Sequence, residues 1–338
     1  MKNILVVFTG GTIGSTAVGG TINTSDAAPY KLIQLFQQHH ANHERISFHS
    51  VQPIQILSEN LAPVVWEKLI AVIEAEDLDR YDGIIITHGT DTLAFTASAL
   101  GLYFNALDIP ILLVSSDSPL DDPHANGLPN FICAVEYILQ ERGAGVFVPY
   151  TNRNQTTQLH RGTRLASSLQ LGGDFMSVQG KSHCRFVNGA FTRNGFIDTE
   201  KLRQPVPLKA DFSKRVLLVR PYPGLDYRYI NLDAVDVVLH DLYHSGTACS
   251  STQWGDQFSL LVFIRQCRER GIKVYLAPAV KSDNAYESTR ELLEEGAKMI
   301  WNMSLETAYV KLLLAYGNFS DERQIMDFIN QDVACEHV

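Results

Sequence analysis

Two threonine-centred segments contain residue types that could carry out nucleophilic chemistry. Residues 9–14 read TGGTIG, and residues 88–92 read HGTDT. Each segment directly follows a short apolar run, residues 4–8 and 83–86, of the kind that forms a buried parallel strand. Because ligands of open α/β sheets bind outside the carboxyl ends of the strands, we expect the two segments to face one pocket.

The first segment predicts a nucleophile in a ligand-binding turn. Glycines allow the backbone to approach a small ligand and to donate N–H groups to an oxyanion. Thr12 would then be the nucleophile, activated by an adjacent base or a proton relay. A plain glycine turn between a strand and a helix is the alternative. The segment is not GxGxxG and no Gly-Lys-Ser/Thr follows it, which argues against a dinucleotide or P-loop site.

The second segment is the more specific signal. Asp91 could accept a ligand ammonium, and Thr90 could position a water or attack a carbonyl. Alternatively, Asp91 caps the following helix and Thr90 only satisfies backbone groups. We expect His88 to be a hydrogen-bonded core residue rather than a metal ligand, because it has no partners at ligand spacing. The histidines at 39, 40 and 43 are interpreted as a solvated helix end in preference to a metal site.

Together the two segments resemble the signatures of the bacterial L-asparaginase family, TGGTI and HGTDT, and residues 82–100 are close to the corresponding family stretch. The chain looks most like the intracellular type, which has a similar length and no leader. The resemblance implies a larger N-terminal α/β domain with a parallel sheet and a smaller C-terminal flavodoxin-like α/β domain. It also implies active sites at a dimer contact, and hydrolysis of L-asparagine to L-aspartate and ammonia without metal or organic cofactor.

The resemblance also implies roles for residues at matching positions. Thr12 matches the nucleophilic threonine, Thr90 the second catalytic threonine, and Asp91 the carboxylate that holds the substrate α-ammonium. Ser58 matches the serine that binds the α-carboxylate. The expected substrate pocket is completed by Glu59, Gly89 and Ser115, the last of which follows the next strand together with Ser116.

Three positions depart from the family pattern. Thr21 stands where the family has a loop tyrosine, and Tyr30, several residues later, could substitute only from a rearranged loop. Gln158 in TTQ replaces the lysine of TTK and cannot shuttle a proton, and loss of such a group costs about 10²–10⁴-fold in rate. Glu59 is followed by Asn60 where the family has Gln or Ser and then Asp. Glu59 would repel an α-carboxylate or pair with a cationic substrate group, or it simply faces solvent.

Strands and helices alternate in two blocks, which predicts parallel sheets with helices on both faces. We expect an N-terminal domain at residues 1–197, a linker at 198–213 with two prolines among charges, and a C-terminal domain at 214–338. Residues 150–190 are rich in Gly, Ser, Thr and Asn and are interpreted as loops or a β-hairpin. Serine N-caps are expected for two C-terminal helices, at Ser304 and Ser320.

Composition excludes several classes of protein. The 338 residues have a net charge of -9 and a pI near 5.6, which argues against a nucleic-acid or anionic-membrane surface. No apolar run is long enough for a membrane helix or a secretory signal. The five cysteines are scattered and odd in number, so neither a disulfide framework nor a zinc site is indicated. These features predict a reduced, cytoplasmic location.

The sequence therefore predicts an amidohydrolase that acts on L-asparagine or a related small amide, as a homodimer or homotetramer. A second hypothesis is a weakened or inactive homologue that acts as a small-ligand binding protein, which Thr21 and Gln158 favour. A third, a nucleotide-binding module, requires a phosphate-binding fingerprint that the first segment lacks.

Overall fold

The computed structural model describes residues 1–18, 21–24, 28–194, 204–213 and 215–338, with no side-chain description for 15–30. The chain divides into two compact units. The first comprises Met1–Ala210 with Val333–Cys335, and the second Asp211–Asp332 with Glu336–Val338. The predicted linker at 198–213 falls partly on residues 198–203, which lie outside the described residues, so its boundaries stay a prediction.

The first unit is built around a mixed sheet with helices. Its strands are β1 (Lys2–Phe8), β2 (Ser15–Val18), β3 (Thr21–Thr24), β4 (Ile46–Val51), β5 (Gly83–Thr87), β6 (Pro110–Val114), β7 (Gly145–Tyr150), β8 (Thr157–Arg161), β9 (Cys184–Val187) and β10 (Ala190–Arg193). Its helices are α1 (Ala28–His39), α2 (Pro63–Glu74), α3 (Leu93–Tyr103) and α4 (Gly127–Leu139). The eight-stranded sheet has the order β10-β9-β8-β7-β6-β5-β1-β4, and β2 pairs with β3 separately.

The sheet has a parallel part that contains the site and an antiparallel extension. Strands β4, β1, β5, β6 and β7 pair in parallel, whereas β8, β9 and β10 continue the sheet as an antiparallel meander. Every residue of β5 and β6 is buried, as expected for central strands covered on both faces. Because β1 and β5 pair in parallel, their carboxyl ends are neighbours at one edge of the sheet.

The second unit has a smaller, fully parallel sheet. Its strands follow one another in chain order, β11 (Val216–Val219), β12 (Val237–Asp241), β13 (Lys273–Ala279) and β14 (Lys298–Trp301). Its helices are α5 (Leu260–Glu269), α6 (Glu287–Glu294), α7 (Leu305–Asn318) and α8 (Glu322–Asn330). The predicted fold of two α/β domains, with the larger sheet first and the smaller second, is confirmed.

Several details differ from the sequence prediction. Residues 150–190, predicted as loops or a β-hairpin, contain loops and the antiparallel pair of β8 and β9. The loose alternation of apolar residues over 46–56 predicts one strand, but β4 ends at Val51. The sequence pattern predicts a helix from residue 130, but α4 begins earlier, at Gly127, because Pro129 is tolerated in a first helical turn. Ser304 caps α7 as predicted, but α8 is capped by Asp321, whose carboxylate accepts from the Gln324 N–H, and not by Ser320.

Within the described part of the chain, no helix is long and apolar enough to cross a membrane. All five cysteines are free thiols, and four of them are buried.

Candidate active site

The first threonine segment forms a turn that is tied to the loop before Ser58. The Ile56 N–H donates to the Thr9 carbonyl (2.9 Å), and the Gly11 N–H donates to the Ile56 carbonyl (3.0 Å). Gly10 and Gly11 have φ of +102° and +78°, a backbone conformation that disfavours residues with a Cβ. The glycines are thus required by the turn itself, which ends in a short 3-10 helix beginning at Thr12.

The second threonine segment lies directly against the first. A Cβ on Gly11 would stand 2.3 Å from the Gly89 nitrogen and 2.5 Å from its Cα. A Cβ on Gly89 would stand 2.4 Å from Ser58 Oγ. Because these two glycines have no side chains, the backbones of the two threonine segments pack against each other and the Ser58 side chain packs against Gly89.

The strand ends beneath this contact are joined by side chains. Thr9 Oγ1 donates to the Thr87 carbonyl (2.5 Å), and the Thr9 N–H donates to Thr87 Oγ1 (3.3 Å). Both threonines are buried. The register of β1 on β5, where Phe8 is opposite Thr87, sets the two turns at the same height.

Asp91 is held by Ser58. Ser58 Oγ donates to Asp91 Oδ2 (2.9 Å) and accepts from the Asp91 N–H (3.2 Å), while the Thr92 hydroxyl donates to the Ser58 carbonyl (2.9 Å). Ser58 is 3% exposed, whereas Asp91 is exposed. The position before α3 is Thr92, and it makes no side-chain capping bond. The interpretation of Asp91 as a helix cap therefore finds no support in the geometry.

His88 is a core residue with both ring nitrogens satisfied. The Trp66 indole N–H donates to Thr96 Oγ1 (3.0 Å), the Thr96 hydroxyl donates to His88 Nε2 (2.9 Å), and His88 Nδ1–H donates to the Gly89 carbonyl (2.7 Å). Because a carbonyl can only accept, this arrangement requires the neutral ring with the proton on Nδ1. Burial lowers the pKa of His88 to about 4.

The turns also present unused backbone donors. The Gly11 N–H, expected from the sequence to be available to an oxyanion, is instead bonded to Ile56. Among the described residues, the amide N–H groups of Thr12, Gly89 and Thr90 have no hydrogen-bond acceptor. Thr12 and Thr90 are half-buried. Such amides at a solvent-accessible turn are the donors that an oxyanion site needs.

The remaining predicted site residues differ in burial and in their hydrogen-bond partners. Glu59 is exposed and makes no hydrogen bond or ion pair with a described residue. Ser115 follows β6, and its buried hydroxyl has no hydrogen-bond partner in the described structure. Gln158 Oε1 accepts from Ser182 Oγ (2.8 Å) and Asn194 Nδ2 (3.3 Å), and neither of these partners is among the other predicted residues.

Two further positions, Thr21 and Tyr30, were compared with the loop tyrosine of the family. Thr21 opens β3 and Tyr30 is in the first turn of α1, and their side chains lie outside the described residues.

Sequence motifs alone did not single out Thr9, Thr87, Trp66 and Thr96, which position the two turns. In the sequence, Thr9 and Thr87 stand at the ends of the two apolar runs, beside the glycine segments. This position was the signal that could have identified them.

Metal ligation has no support in the geometry. Among residues 1–18, 21–24, 28–194, 204–213 and 215–338, no group of three or more His, Cys, Asp or Glu side chains could hold an ion. In the cluster near α1, His40 Nε2 instead lies 2.9 Å from Glu136 Oε1, and the His40 ring stacks on Phe36.

Comparison with known proteins assigns the family. The family model described as "Asparaginase, N-terminal" matches residues 3–171, half of the chain, and this range includes both threonine segments. The chain belongs to the asparaginase family. Within this family, the chain is 26% identical over 347 residues to a glutamyl-tRNA(Gln) amidotransferase subunit from Methanosphaera stadtmanae, covering 99% of the chain and 76% of that relative. It is 30% identical over 281 residues to the protein of the same name from Aeropyrum pernix, covering 79% and 64%.

Solved structures agree on the fold of this asparaginase-family chain. The thermostable L-asparaginase from Thermococcus kodakarensis superposes with a TM-score of 0.79 at 24% identity, over 99% of both chains. L-asparaginase I from Vibrio cholerae gives a TM-score of 0.78 at 22% identity, over 100% of this chain and 99% of the other. At these identities the likeness concerns the fold, and it leaves the substrate to be argued from the site.

Proposed function

We propose that this chain is an amidohydrolase that releases ammonia from L-asparagine or a closely related small amide, with Thr12 as the nucleophile. The observation that carries the proposal is the contact of three loops through Gly11, Gly89 and Ser58. This contact groups two half-buried threonines, unused backbone amides and an anchored carboxylate. Each of these is a part that acyl transfer requires.

The proposed chemistry is acyl transfer in two steps. The Thr12 hydroxyl oxygen attacks the side-chain amide carbon while its proton passes to a water held by Thr90. The N–H groups of Thr12, Gly89 and Thr90 stabilise the oxyanion. The leaving nitrogen takes the proton from the water held by Thr90 and departs as ammonia. Water then attacks the threonyl ester and releases the acid.

We assign the orientation of the substrate to the charged side chains beside the threonine loops. Asp91 would bind the substrate α-ammonium, and its bonds to Ser58 support this role because they hold the carboxylate in place before the substrate arrives. Since the single Ser58 hydroxyl proton is given to Asp91, we assign Ser58 to positioning Asp91. Binding of the substrate α-carboxylate by Ser58 would require this hydroxyl to turn away from Asp91. Glu59 adds a second negative charge that favours a substrate with an ammonium group, and buried Ser115 would line the pocket.

A second candidate comes from the relatives. Several of them are named as subunits of an amidotransferase, a class of enzyme that moves an amide nitrogen to a second molecule. In that case this chain would supply ammonia to a partner protein. The net charge of -9 argues that any contact with RNA is made by the partner. A homodimer or homotetramer and a cytoplasmic location remain part of the proposal.

The decisive experiment measures ammonia release from millimolar L-asparagine and L-glutamine by the purified protein and by Thr12→Val. We expect release from L-asparagine that falls by about 10³-fold or more in the variant, since removing a nucleophile has effects on this scale. Equal release by both proteins would remove Thr12 from the mechanism. Release from L-glutamine alone would favour the amidotransferase alternative, and no release from either would favour a binding protein.

A further inference from the structure

A small cavity in the first unit lies away from the threonine loops, between the end of α4 and the β9–β10 hairpin. Its volume is about 210 Å³, and its walls include Tyr137, Arg142, Cys184 and Arg193. Sites for organic ligands usually have volumes of about 300–1,000 Å³. The cavity is therefore sized for a small ion.

Two arginines, Arg142 and Arg193, line this cavity, and both are exposed to solvent. The Arg142 guanidinium carbon lies 5.4 Å from the centre of the Phe191 ring. Phe191 and Arg193 are two residues apart on β10, so their side chains share one face of the strand. Burial raises the pKa of the Cys184 thiol to about 11, and the positive charges of Arg142 and Arg193 oppose that rise. Arg193 is directly opposite Cys184 in the register of the β9–β10 hairpin, and Arg142 lines the same cavity as this thiol.

Neither positive charge is neutralised within the described structure. Among the described residues, the guanidinium groups of Arg142 and Arg193 have no carboxylate partner and no hydrogen-bond acceptor. The acidic residue at the wall, Glu141, is paired with Lys2 (2.7 Å), which also pairs with Asp82 (2.8 Å). This group of three carries one net negative charge, so the excess positive charge at the cavity comes from Arg142 and Arg193. A local excess of positive charge in a chain of net charge -9 attracts small anions.

We propose that this cavity binds a small tetrahedral oxyanion, inorganic phosphate or the phosphate group of a monoester, between Arg142 and Arg193. Planar guanidinium forks match phosphate oxygens with two parallel N–H bonds each. The Phe191 ring supports the Arg142 fork from one side and fixes its plane. This site is independent of the Thr12 chemistry.

The same hairpin offers a matched control. Arg185 is adjacent to Cys184 in sequence, so its side chain is on the opposite face of β9 from the cavity. Its Nε donates to Asn194 Oδ1 (3.0 Å). Arg185→Gln therefore removes one positive charge from the hairpin and leaves the cavity unchanged.

The test is calorimetric titration of the full-length protein with inorganic phosphate at constant ionic strength. We expect saturable binding to one site, weakened about 10-fold or more by Arg193→Gln and by Arg142→Gln, as for a lost charged hydrogen bond. Arg185→Gln should bind as the unmodified protein does. Because Arg142 also packs on Phe191, thermal unfolding is measured for each variant, and Arg193→Gln decides the result if the Arg142 variant does not fold.

Three results would overturn the site. They are an absence of saturable heat, equal weakening by all three substitutions, and tighter binding of malonate than of phosphate. Titration with glycerol phosphate separates the two sources of the anion. Binding as tight as that of inorganic phosphate supports recognition of a monoester, and binding of inorganic phosphate alone supports the free ion.

Discussion

The carboxyl edges of the two parallel sheets hold a histidine in the same way but present different surroundings. His88 follows β5, donates from Nδ1 to the next carbonyl and accepts at Nε2 from the Thr96 hydroxyl. His240 in β12 donates from Nδ1 to the Asp241 carbonyl (2.5 Å) and accepts at Nε2 from the Tyr227 hydroxyl (2.8 Å). Burial lowers both pKa values to about 4. In both units, a neutral buried histidine therefore joins the end of a strand to a neighbouring hydroxyl by hydrogen bonds, which is a structural role.

What differs is the set of loops beyond each histidine. In the first unit, glycine turns pack together and present hydroxyls, amides and a carboxylate. In the second unit, the corresponding edge has a cavity of about 290 Å³ lined by aromatic side chains that include Tyr222, Tyr243 and Trp254. The same sheet architecture thus carries two different sets of loops, and the histidine of the HGTDT segment is a buried residue of the scaffold.

The largest expected effect comes from adding one methyl group at the contact of the loops. In Gly11→Ala, the Cβ would meet Gly89 backbone atoms at 2.3–2.5 Å in a residue with φ of +78°. We expect a loss of roughly 2–5 kcal/mol of stability together with loss of ammonia release. Gly172→Ala, whose Cβ meets nothing within 4 Å, is the control. A stable, active Gly11→Ala protein would mean that this contact does not build the site.

Acid should destabilise both units through their buried histidines. The folded pKa of His88 and of His240 is about 4, below the usual 6.5, so the unfolded chain binds the extra protons first. Stability is then complete above pH 6.5 and is lost as the pH falls toward 4, by about 2 kcal/mol for each histidine at pH 5. Urea unfolding at pH 7 and pH 5 measures this loss. His240→Gln should reduce the pH dependence of the second unit, and an unchanged dependence would contradict the comparison.

Much of the scaffold could be predicted because buried parallel strands are continuous apolar runs. The sequence shows β1 and β5 directly, and the ends of these two paired strands place the threonine segments at one edge. The region of β8 and β9 was predicted only as loops or a β-hairpin, and β9 and β10 are four residues long and partly exposed. Such strands are defined by their neighbours in the sheet more than by their own pattern.

The site was predictable in its residue types but not in its contacts. The sequence shows two glycine turns, yet only the folded sheet shows that Gly11 touches Gly89 and that Gly89 touches Ser58. The bond from Ser58 to Asp91 joins positions 33 residues apart. Pairing of this kind depends on strand order, which is a long-range property that local spacing does not contain.

A smaller effect should separate the two carboxylates beside Ser58. Asp91 is anchored by two hydrogen bonds and Glu59 is free in solvent among the described residues. We expect Asp91→Asn to lower kcat/KM by about 10–100-fold, mainly through KM, as for a lost charged hydrogen bond. Glu59→Gln should change it much less. Equal losses would show that both carboxylates bind the substrate ammonium and that anchoring by Ser58 is not what distinguishes them.

The smallest effect on turnover is expected at Gln158. Its side-chain oxygen is engaged by Ser182 and Asn194, so Gln158→Leu should cost about 1 kcal/mol of stability by leaving a partly buried donor without its acceptor. Ammonia release should change by less than about threefold, far from the roughly 10²–10⁴-fold loss expected for a proton-transfer group. Assays of Gln158→Leu beside Thr12→Val measure this difference. A loss on the scale of a proton-transfer group would place Gln158 in the relay and would mean that the amide replaces the family lysine through a bound water. A small change would assign the relay to the threonine loops alone.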